Sequence, residues 1–399
     1  MAALTFEAVD IVFGEEAEEA LPLIDQGRSR DEILEATGCV LGVAQADLEV
    51  QPGEICVLMG LSGSGKSTLL RAVNGLNPVT RGRVLVQDDE DRIDVAACDE
   101  ATLRRLRTER IAMVFQQFAL LPWRTVRENV GFGLELRGLA KAERHRIVEQ
   151  KLELVGLDQW GDKYAHELSG GMQQRVGLAR AFATDGDLLL MDEPFSALDP
   201  LIRTHLQEEL LTLQAELRKT ILFVSHDLDE ALKLGNRIAI MEGGRVVQVG
   251  RPEEIVLQPA NDYVREFVAH MNPINVLRGA SMMTPLEELP RHGEALALDA
   301  GGRCLLHMNG AGIAEVQEDG RPLNLHSWSP DQSTSALPDT AVVLAPADTT
   351  LRQVMELRQA SGRPVILCED RRPVGLCGDA EIYRAILRQE GEGAGAPGA

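Results

Sequence analysis

The chain has 399 residues, a net charge of −22 and 44% hydrophobic residues, enough for two or three domains with a substantial core. So acidic a balance argues against gripping nucleic acid by its backbone, which calls for a basic face. No apolar run reaches membrane-spanning length, the N-terminus lacks the basic-then-apolar form of a signal peptide, and the six cysteines form no close CxxC pair. The expectation is a cytosolic protein with free thiols.

In chain order, LTFEAVDIVFG alternates apolar residues as a strand does, and an acidic, helix-like insert follows, ending in LIDQGRSRDEILEATG. Residues 55–59 are a short continuous apolar run, as in buried parallel strands; 110–116, 187–193 and 220–227 are similar. Helical patterns lie between, at 67–76, 141–155, 172–183 and 202–218. Strands alternating with helices predict an α/β fold with a parallel sheet. Residues 238–250 read as a hairpin turning at Glu242, Gly243 and Gly244. Near 270–279 the texture changes. The first domain is therefore set at 1–272 and a second at 273–390, with a flexible tail at 391–399. The clearest piece of the second domain, 349–387, has a helix–strand–strand–helix pattern.

Directly after the 55–59 run, GLSGSGKST places Gly60, Leu61, Ser62, Gly63, Ser64, Gly65, Lys66, Ser67 and Thr68 in the GxxxxGK[ST] pattern. The glycines let backbone N–H groups turn inward around phosphate oxygens, and the helix start adds partial positive charge. Lys66 would reach the β and γ phosphates, and Ser67 could ligate Mg²⁺. Only six of the 40 basic residues are lysine, so a lysine within a motif is specific. The bland alternative is a glycine-rich turn with an incidental lysine.

LLLMDEP puts Asp192 and Glu193 at the end of a buried strand, where open α/β sheets bind ligands. Asp192 would hold Mg²⁺ through water and Glu193 would polarise the attacking water. A strand ending in solvated acids would look the same. Gln116 and His226 end two further strands; Gln116 could touch Mg²⁺ or the water, and His226 the γ-phosphate. Each alone also reads as a structural polar group; their convergence on one sheet edge favours the catalytic reading. In HELSGGMQQ, Ser169, Gly170 and Gly171 stand at a helix start with free N–H groups. On local grounds Ser169 is an N-cap with no ligand.

Together GLSGSGKST, FQQ, LSGGMQQ, LLLMDEP, SALD and SHD resemble, in order and context, the ABC ATPases over about residues 1–270. That resemblance implies a P-loop ATPase with a RecA-like core, an antiparallel β subdomain and a helical subdomain at about 117–183. It implies that Ser169, Gly170, Gly171, Met172 and Gln173 form a signature loop acting on another copy's ATP. Ser196, Ala197, Leu198 and Asp199 match the D-loop, His226 the switch histidine, and Phe13 the aromatic under adenine. Met172 departs from the family's usual glutamine. ATP and Mg²⁺ are the implied cofactors and a head-to-tail homodimer the implied assembly.

The insert, SALDPLIRT, SHDLDEAL and PANDYVREFV resemble the ATPases of glycine betaine and proline betaine importers. AVNGLN, QQFALLPWRTV, ALKLGNRIAIMEGG and FVAHMNPINVL look closest to a choline importer's ATPase. The expected role is to power choline import, with glycine betaine or proline betaine as the alternative, from the cytoplasmic face of the membrane. Expected partners are a transmembrane permease and an external substrate-binding protein. Leu120, Leu121 and Trp123 would form the permease contact. A soluble ABC ATPase of DNA repair or translation, or a regulatory module without turnover, would be different classes. The first is disfavoured by a single cassette and the lack of long heptad tracts, the second by intact Glu193 and His226.

The chain has only 15 aromatic residues, and they do not cluster, so an aromatic cage for a quaternary ammonium must lie in a partner. The C-terminal part resembles a degenerate CBS module, a small α+β domain. Gly378 stands where a hydroxyl is expected in the nucleotide-contacting turn, and Glu381 replaces the expected second acid.

Overall fold

In a computed structural model of the chain, residues 1–387 are described except 197, 270–273, 275, 300, 310–311, 331 and 333–340. The expected domain boundary at 272, the tail at 391–399 and Ala197 thus lie outside the described residues. The chain divides into two units, one of Met1–Ile255 with Ala260–Phe267, the other of Val256–Pro259 with Val268–Ala399.

The first unit opens with β1 (Leu4–Phe13), the insert helices α1 (Leu21–Asp25) and α2 (Arg30–Thr37), and β2 (Val40–Val50). Strand β3 (Ile55–Met59) is buried along its whole length and feeds α3 (Lys66–Ala72). Helix α3 stops short of residue 76, because Gly75 takes a left-handed φ of 65°. Then follow β4 (Arg81–Asp88), β5 (Asp91–Asp94), α4 (Glu100–Arg105) and β6 (Ile111–Val114). Helices α5 (Val126–Val130), α6 (Phe132–Leu136), α7 (Lys141–Leu154) and α8 (Gly170–Thr184) form the helical segment. The chain returns through β7 (Leu188–Asp192), α9 (Pro200–Leu217), β8 (Thr220–Val224) and α10 (Leu228–Leu234). The hairpin β9 (Arg237–Glu242) and β10 (Arg245–Gly250) turns at Gly243 and Gly244, both with positive φ. Helices α11 (Pro252–Leu257) and α12 (Asp262–Ala269) follow.

Two sheets frame this unit. One is antiparallel, in the order β2-β1-β4-β5. The other runs β10-β9-β3-β8-β7-β6, with every pair parallel except β10–β9. Phe6, Val9, Ile11 and Val84 from the first join Leu58, Leu190, Leu222 and Val224 from the second, with Leu69 and Leu70 of α3, in one buried core. Covered on both faces, β3, β7 and β8 need apolar residues at every position, which explains their unbroken runs.

In the second unit, α13 (Gly279–Met282) precedes β11 (Thr284–Pro285) and the short strands β12 (Arg291–His292) and β13 (Ala295–Ala297). Strands β14 (Cys304–Asn309), β15 (Gly312–Glu318) and β16 (Arg321–Pro322) complete an antiparallel sheet with β12 and β13. A second sheet, β11-β20-β19-β18-β17, is built from β17 (Leu325–Ser327), β18 (Val342–Pro346), β19 (Val365–Glu369) and β20 (Arg372–Cys377). Helices α14 (Leu351–Ser361) and α15 (Asp379–Leu387) complete the expected helix–strand–strand–helix piece. Leu296, Leu306 and Val316 pack with Val342, Ile366 and Leu376 to join the two sheets. Among the described residues no helix is long and apolar enough to cross a membrane.

Candidate nucleotide site

Parallel register brings four strand ends to one edge: Leu58 pairs with Val224, Val224 with Asp192, and Met191 with Val114. The residues that follow each strand therefore converge. After β3 the chain must turn sharply, and Gly60 and Gly65 do so with φ of 142° and 104°. A side chain at either would collide with a backbone carbonyl, Met241 at the first and Gly42 at the second. Ser64 N–H donates to the Leu61 carbonyl at 3.1 Å, closing the loop. The Ser64 hydroxyl is buried with no hydrogen-bond partner in the protein.

Lys66 is buried, and its ammonium donates to the carbonyls of Gly60 (2.8 Å) and Leu61 (2.9 Å). Burial pushes its pKa below the ordinary lysine value, with Glu193 and Asp192 opposing the shift. Two of its three protons face the loop, so the cation is held at the mouth of the turn. Ser62 and Gly63 are exposed, and Ser67 and Thr68 half-buried on α3. The Phe13 ring and the Thr68 methyl flank Gly42, so the aromatic at the end of β1 stands beside the phosphate-loop helix.

Asp192 is fully buried. Its Oδ1 accepts from the Ser67 hydroxyl at 2.6 Å, and its Oδ2 from Arg71 Nη2 at 2.8 Å and Nε at 3.1 Å. Hard oxygen donors thus meet at the foot of the loop, a set that suits a small divalent cation completed by phosphate and water oxygens. Among the described residues no group of three or more His, Cys, Asp or Glu could hold a metal alone. Gln116 lies further along the rim, bonded to Glu193.

Glu193 sits at a left-handed φ of 48°, in a turn pinned by its N–H on the Val224 carbonyl at 3.1 Å. Its Oε2 accepts from Gln116 Nε2 at 3.0 Å and lies 3.2 Å from His226 Nδ1. Three strand ends thus fix one carboxylate oxygen. The Glu193 carbonyl accepts from Gln174 of α8 at 3.3 Å and from the Ser196 hydroxyl at 3.0 Å, tying α8 and the segment before α9 to the same turn. Leu198 is buried, and Asp199 caps α9 through Ile202 N–H at 3.2 Å.

Ser169 and Gly170 are exposed, and Ser169 caps α8 by accepting from Met172 N–H at 3.4 Å. Gly171 and Met172 are half-buried in the first turn. Gln173 donates to the carbonyls of Ala165 (2.9 Å) and Leu168 (3.2 Å), holding the loop from below.

The segment after Gln116 is unevenly exposed. Trp123 is 71% exposed, but Leu120 and Leu121 are half-buried. The reason is Asn129, buried in α5, which accepts from Leu121 N–H at 2.7 Å and donates to the carbonyls of Leu121, Arg124 and Thr125. Arg180 of α8 holds the preceding turn through the carbonyls of Phe118 (2.9 Å) and Ala119 (2.6 Å).

Sequence reasoning missed Arg71, Gln174, Asn129 and Arg180, and also Tyr263. The Tyr263 hydroxyl accepts from Leu61 N–H at 3.2 Å and donates to the Met241 carbonyl at 3.3 Å. Only Arg71 had a local signal: it stands one helical turn after Ser67, on the same face of α3.

Comparison with known proteins agrees with this geometry. Residues 43–196 match the ABC transporter family. The chain is 44% identical over 393 residues to the glycine betaine/proline betaine transport system ATP-binding protein ProV of Escherichia coli (strain K12), covering 95% of this chain and 96% of that protein. It is 42% identical to the glycine betaine transport ATP-binding protein OpuAA of Bacillus subtilis (strain 168), over 92% and 87% of the two chains. Similarity also extends to the trimethylamine N-oxide transport system ATP-binding protein TmoW of Pelagibacter ubique (strain HTCC1062), 44% identical over 69% of this chain and 80% of that one. Among solved structures, the dimeric post-hydrolysis ATP-binding cassette MJ0796 bound to ADP and Pi matches with a TM-score of 0.54 and 29% identity, over 62% of this chain and 98% of that one. The chain therefore belongs to the ABC transporter ATPases, in the family of ATP-binding subunits of glycine betaine and proline betaine import.

Proposed function

We propose that the chain is the ATP-hydrolysing subunit of an importer of quaternary ammonium compounds, working as a head-to-tail dimer beneath a transmembrane permease. The observation that carries this reading is the Glu193 carboxylate, held by Gln116 and His226 on the edge where the phosphate loop ends. Lys66 and the loop N–H groups bind the ATP phosphates, and Phe13 receives adenine. Ser67 and Asp192, with Gln116 beside them, would hold Mg²⁺, which when bound neutralises phosphate charge. Glu193 takes the proton of the attacking water while Gln116 and His226 keep Oε2 aligned.

Among the described residues Ser169 has only local bonds, and it is exposed, so it is free to cap ATP bound on another copy. The dimeric cassette with ADP and Pi supports this assembly. Closure on ATP and opening after hydrolysis would move the permease. Two observations support the 117–129 segment as the docking place: Trp123 is exposed, and Ala119 and Leu121 help line a cavity of about 380 Å³ with Phe115, Phe132, Leu136 and Arg180. In the second unit, Glu381 accepts from Gly378 N–H (2.9 Å) and from the Thr284 hydroxyl (2.6 Å). That carboxylate fills the turn a nucleotide would contact, which favours a degenerate, structural CBS-like domain.

For the transported solute, the choline-type motifs favour choline. A second reading, glycine betaine or proline betaine, is favoured by the similarity to ProV, of a glycine betaine/proline betaine transport system, and to OpuAA, of glycine betaine transport. Either solute would be captured by a separate substrate-binding protein with an aromatic cage. The test is ATP-dependent uptake into vesicles holding the chain, its permease and its binding protein. Choline uptake that excess glycine betaine does not suppress supports the first reading; the reverse supports the second. Uptake of neither would overturn the role.

A further inference from the structure

The insert between β1 and β2 supplies none of the groups named above as binding phosphate, metal or water. It has its own core: Ala20, Ile24 and Ile33 pack with Val12, Cys39, Leu41 and Ala44. Helix α2 starts in a capping box, Ser29 accepting from Glu32 N–H while the Glu32 carboxylate accepts from Ser29 N–H. Arg30 is the first residue of that helix, so the box fixes where its side chain leaves the backbone.

The Arg30 guanidinium runs into the phosphate loop. Its Nη1 donates to the Gly63 carbonyl and its Nη2 to the Gly42 carbonyl at 2.8 Å. Its Nε is buried without a hydrogen-bond partner, and burial pushes its pKa below the ordinary arginine value, against the charge of Asp31. Among the described residues it makes no ion pair. A cation is thus partly desolvated with only two neutral carbonyls as acceptors, an arrangement that needs a reason beyond anchoring a surface helix. The two acceptors are telling. Gly63 is the exposed tip of the phosphate loop, at a left-handed φ of 79° with open space around it. Gly42 lies on β2 between the Phe13 ring and Thr68.

We propose that Arg30 is a positioning residue for nucleotide binding. It ties the tip of the phosphate loop to the strand behind Phe13, so the loop is ordered before ATP arrives. This rests on residues 60–68 being the nucleotide site. A flexible glycine loop loses conformational freedom on closing around phosphate; a loop already tied loses less. The rigid fork of arginine holds two carbonyls at a fixed separation, which the flexible stem and compact ammonium of lysine do not impose.

The test uses the full chain, with fluorescence titration of a mant-labelled ATP and steady-state ATPase rates. Arg30→Met keeps an apolar stem and removes the donors. It is expected to weaken mant-ATP and raise the KM for ATP about tenfold, leaving kcat within about twofold. Arg30→Lys is expected to recover part of the loss, and it keeps the test available if Arg30→Met does not fold. Arg28→Ala, which breaks the exposed pair with Glu32 at the start of the same helix, is expected to leave affinity unchanged. Unchanged affinity in Arg30→Met, or an equal loss in Arg28→Ala, would overturn the proposal. Lys66→Ala separates the two levels. If it abolishes binding while Arg30→Met leaves the affinity unchanged, the tie alone is wrong; if it binds normally, the nucleotide site is misassigned and the proposal falls with it.

Discussion

Arg71 closes on Asp192 with its Nη2 2.8 Å from Oδ2, and the carboxylate it meets is wholly buried. The pair joins the phosphate-loop helix to the end of β7 and turns the other carboxylate oxygen toward Ser67. Removing the guanidinium would leave a buried charge with one hydroxyl for compensation. Arg71→Ala should therefore cost about 3 kcal/mol of stability. A urea unfolding curve followed by tryptophan fluorescence reads this as a lower midpoint at unchanged slope; an unmoved midpoint would show that the pair contributes nothing.

Tyr263 holds the opposite side of the loop, through Leu61 N–H. Tyr263→Phe deletes the hydroxyl that accepts from Leu61 N–H and donates to the Met241 carbonyl, and little volume. The expected result is a KM for ATP raised about fivefold, equivalent to about 1 kcal/mol, with kcat nearly unchanged. A fall in kcat at constant KM would place Tyr263 in the chemical step instead.

Glu193→Gln keeps a side chain of the same size and can still meet Gln116, but it cannot take a proton. Hydrolysis should fall by at least about 100-fold while ATP remains bound. A phosphate-release assay beside equilibrium nucleotide binding separates the two, and normal turnover would remove Glu193 from the role of base.

Trp123 is exposed, while the backbone on either side of it, at Leu121 and Arg124, is tied to buried Asn129. Trp123→Ala should abolish uptake in the reconstituted importer while sparing the ATPase activity of the isolated chain, because only a partner contact is lost. Equal loss of both would instead mean that Trp123 packs the helical segment.

The parallel core was legible because burial on both faces leaves short unbroken apolar runs bounded by turn residues: 55–59 coincides with β3, and 220–227 contains β8. Strand β6 is shorter than its apolar run, since Phe115 has left the sheet to line a cavity. Residues 280–340 were opaque because their strands are mostly two to seven residues long and half-exposed, giving no sustained alternation. In the site, the strand-end residues could be read from motif and position. Their supports could not: Arg71 meets Asp192 across 121 residues, and Leu61 meets Tyr263 across 202. A buried asparagine such as Asn129 likewise has no sequence mark, so its tie to the Leu121 backbone is visible only in the structure.

The central claim is that Ser169 serves the ATP of another copy. The direct measurement is light scattering with chromatography at saturating ATP, on Glu193→Gln and on Glu193→Gln combined with Ser169→Arg, alongside nucleotide titration of both. The first variant should elute at twice the monomer mass and the second as a monomer with unchanged ATP affinity. A monomeric first variant, or an affinity lost on adding Ser169→Arg to the monomer, would contradict it.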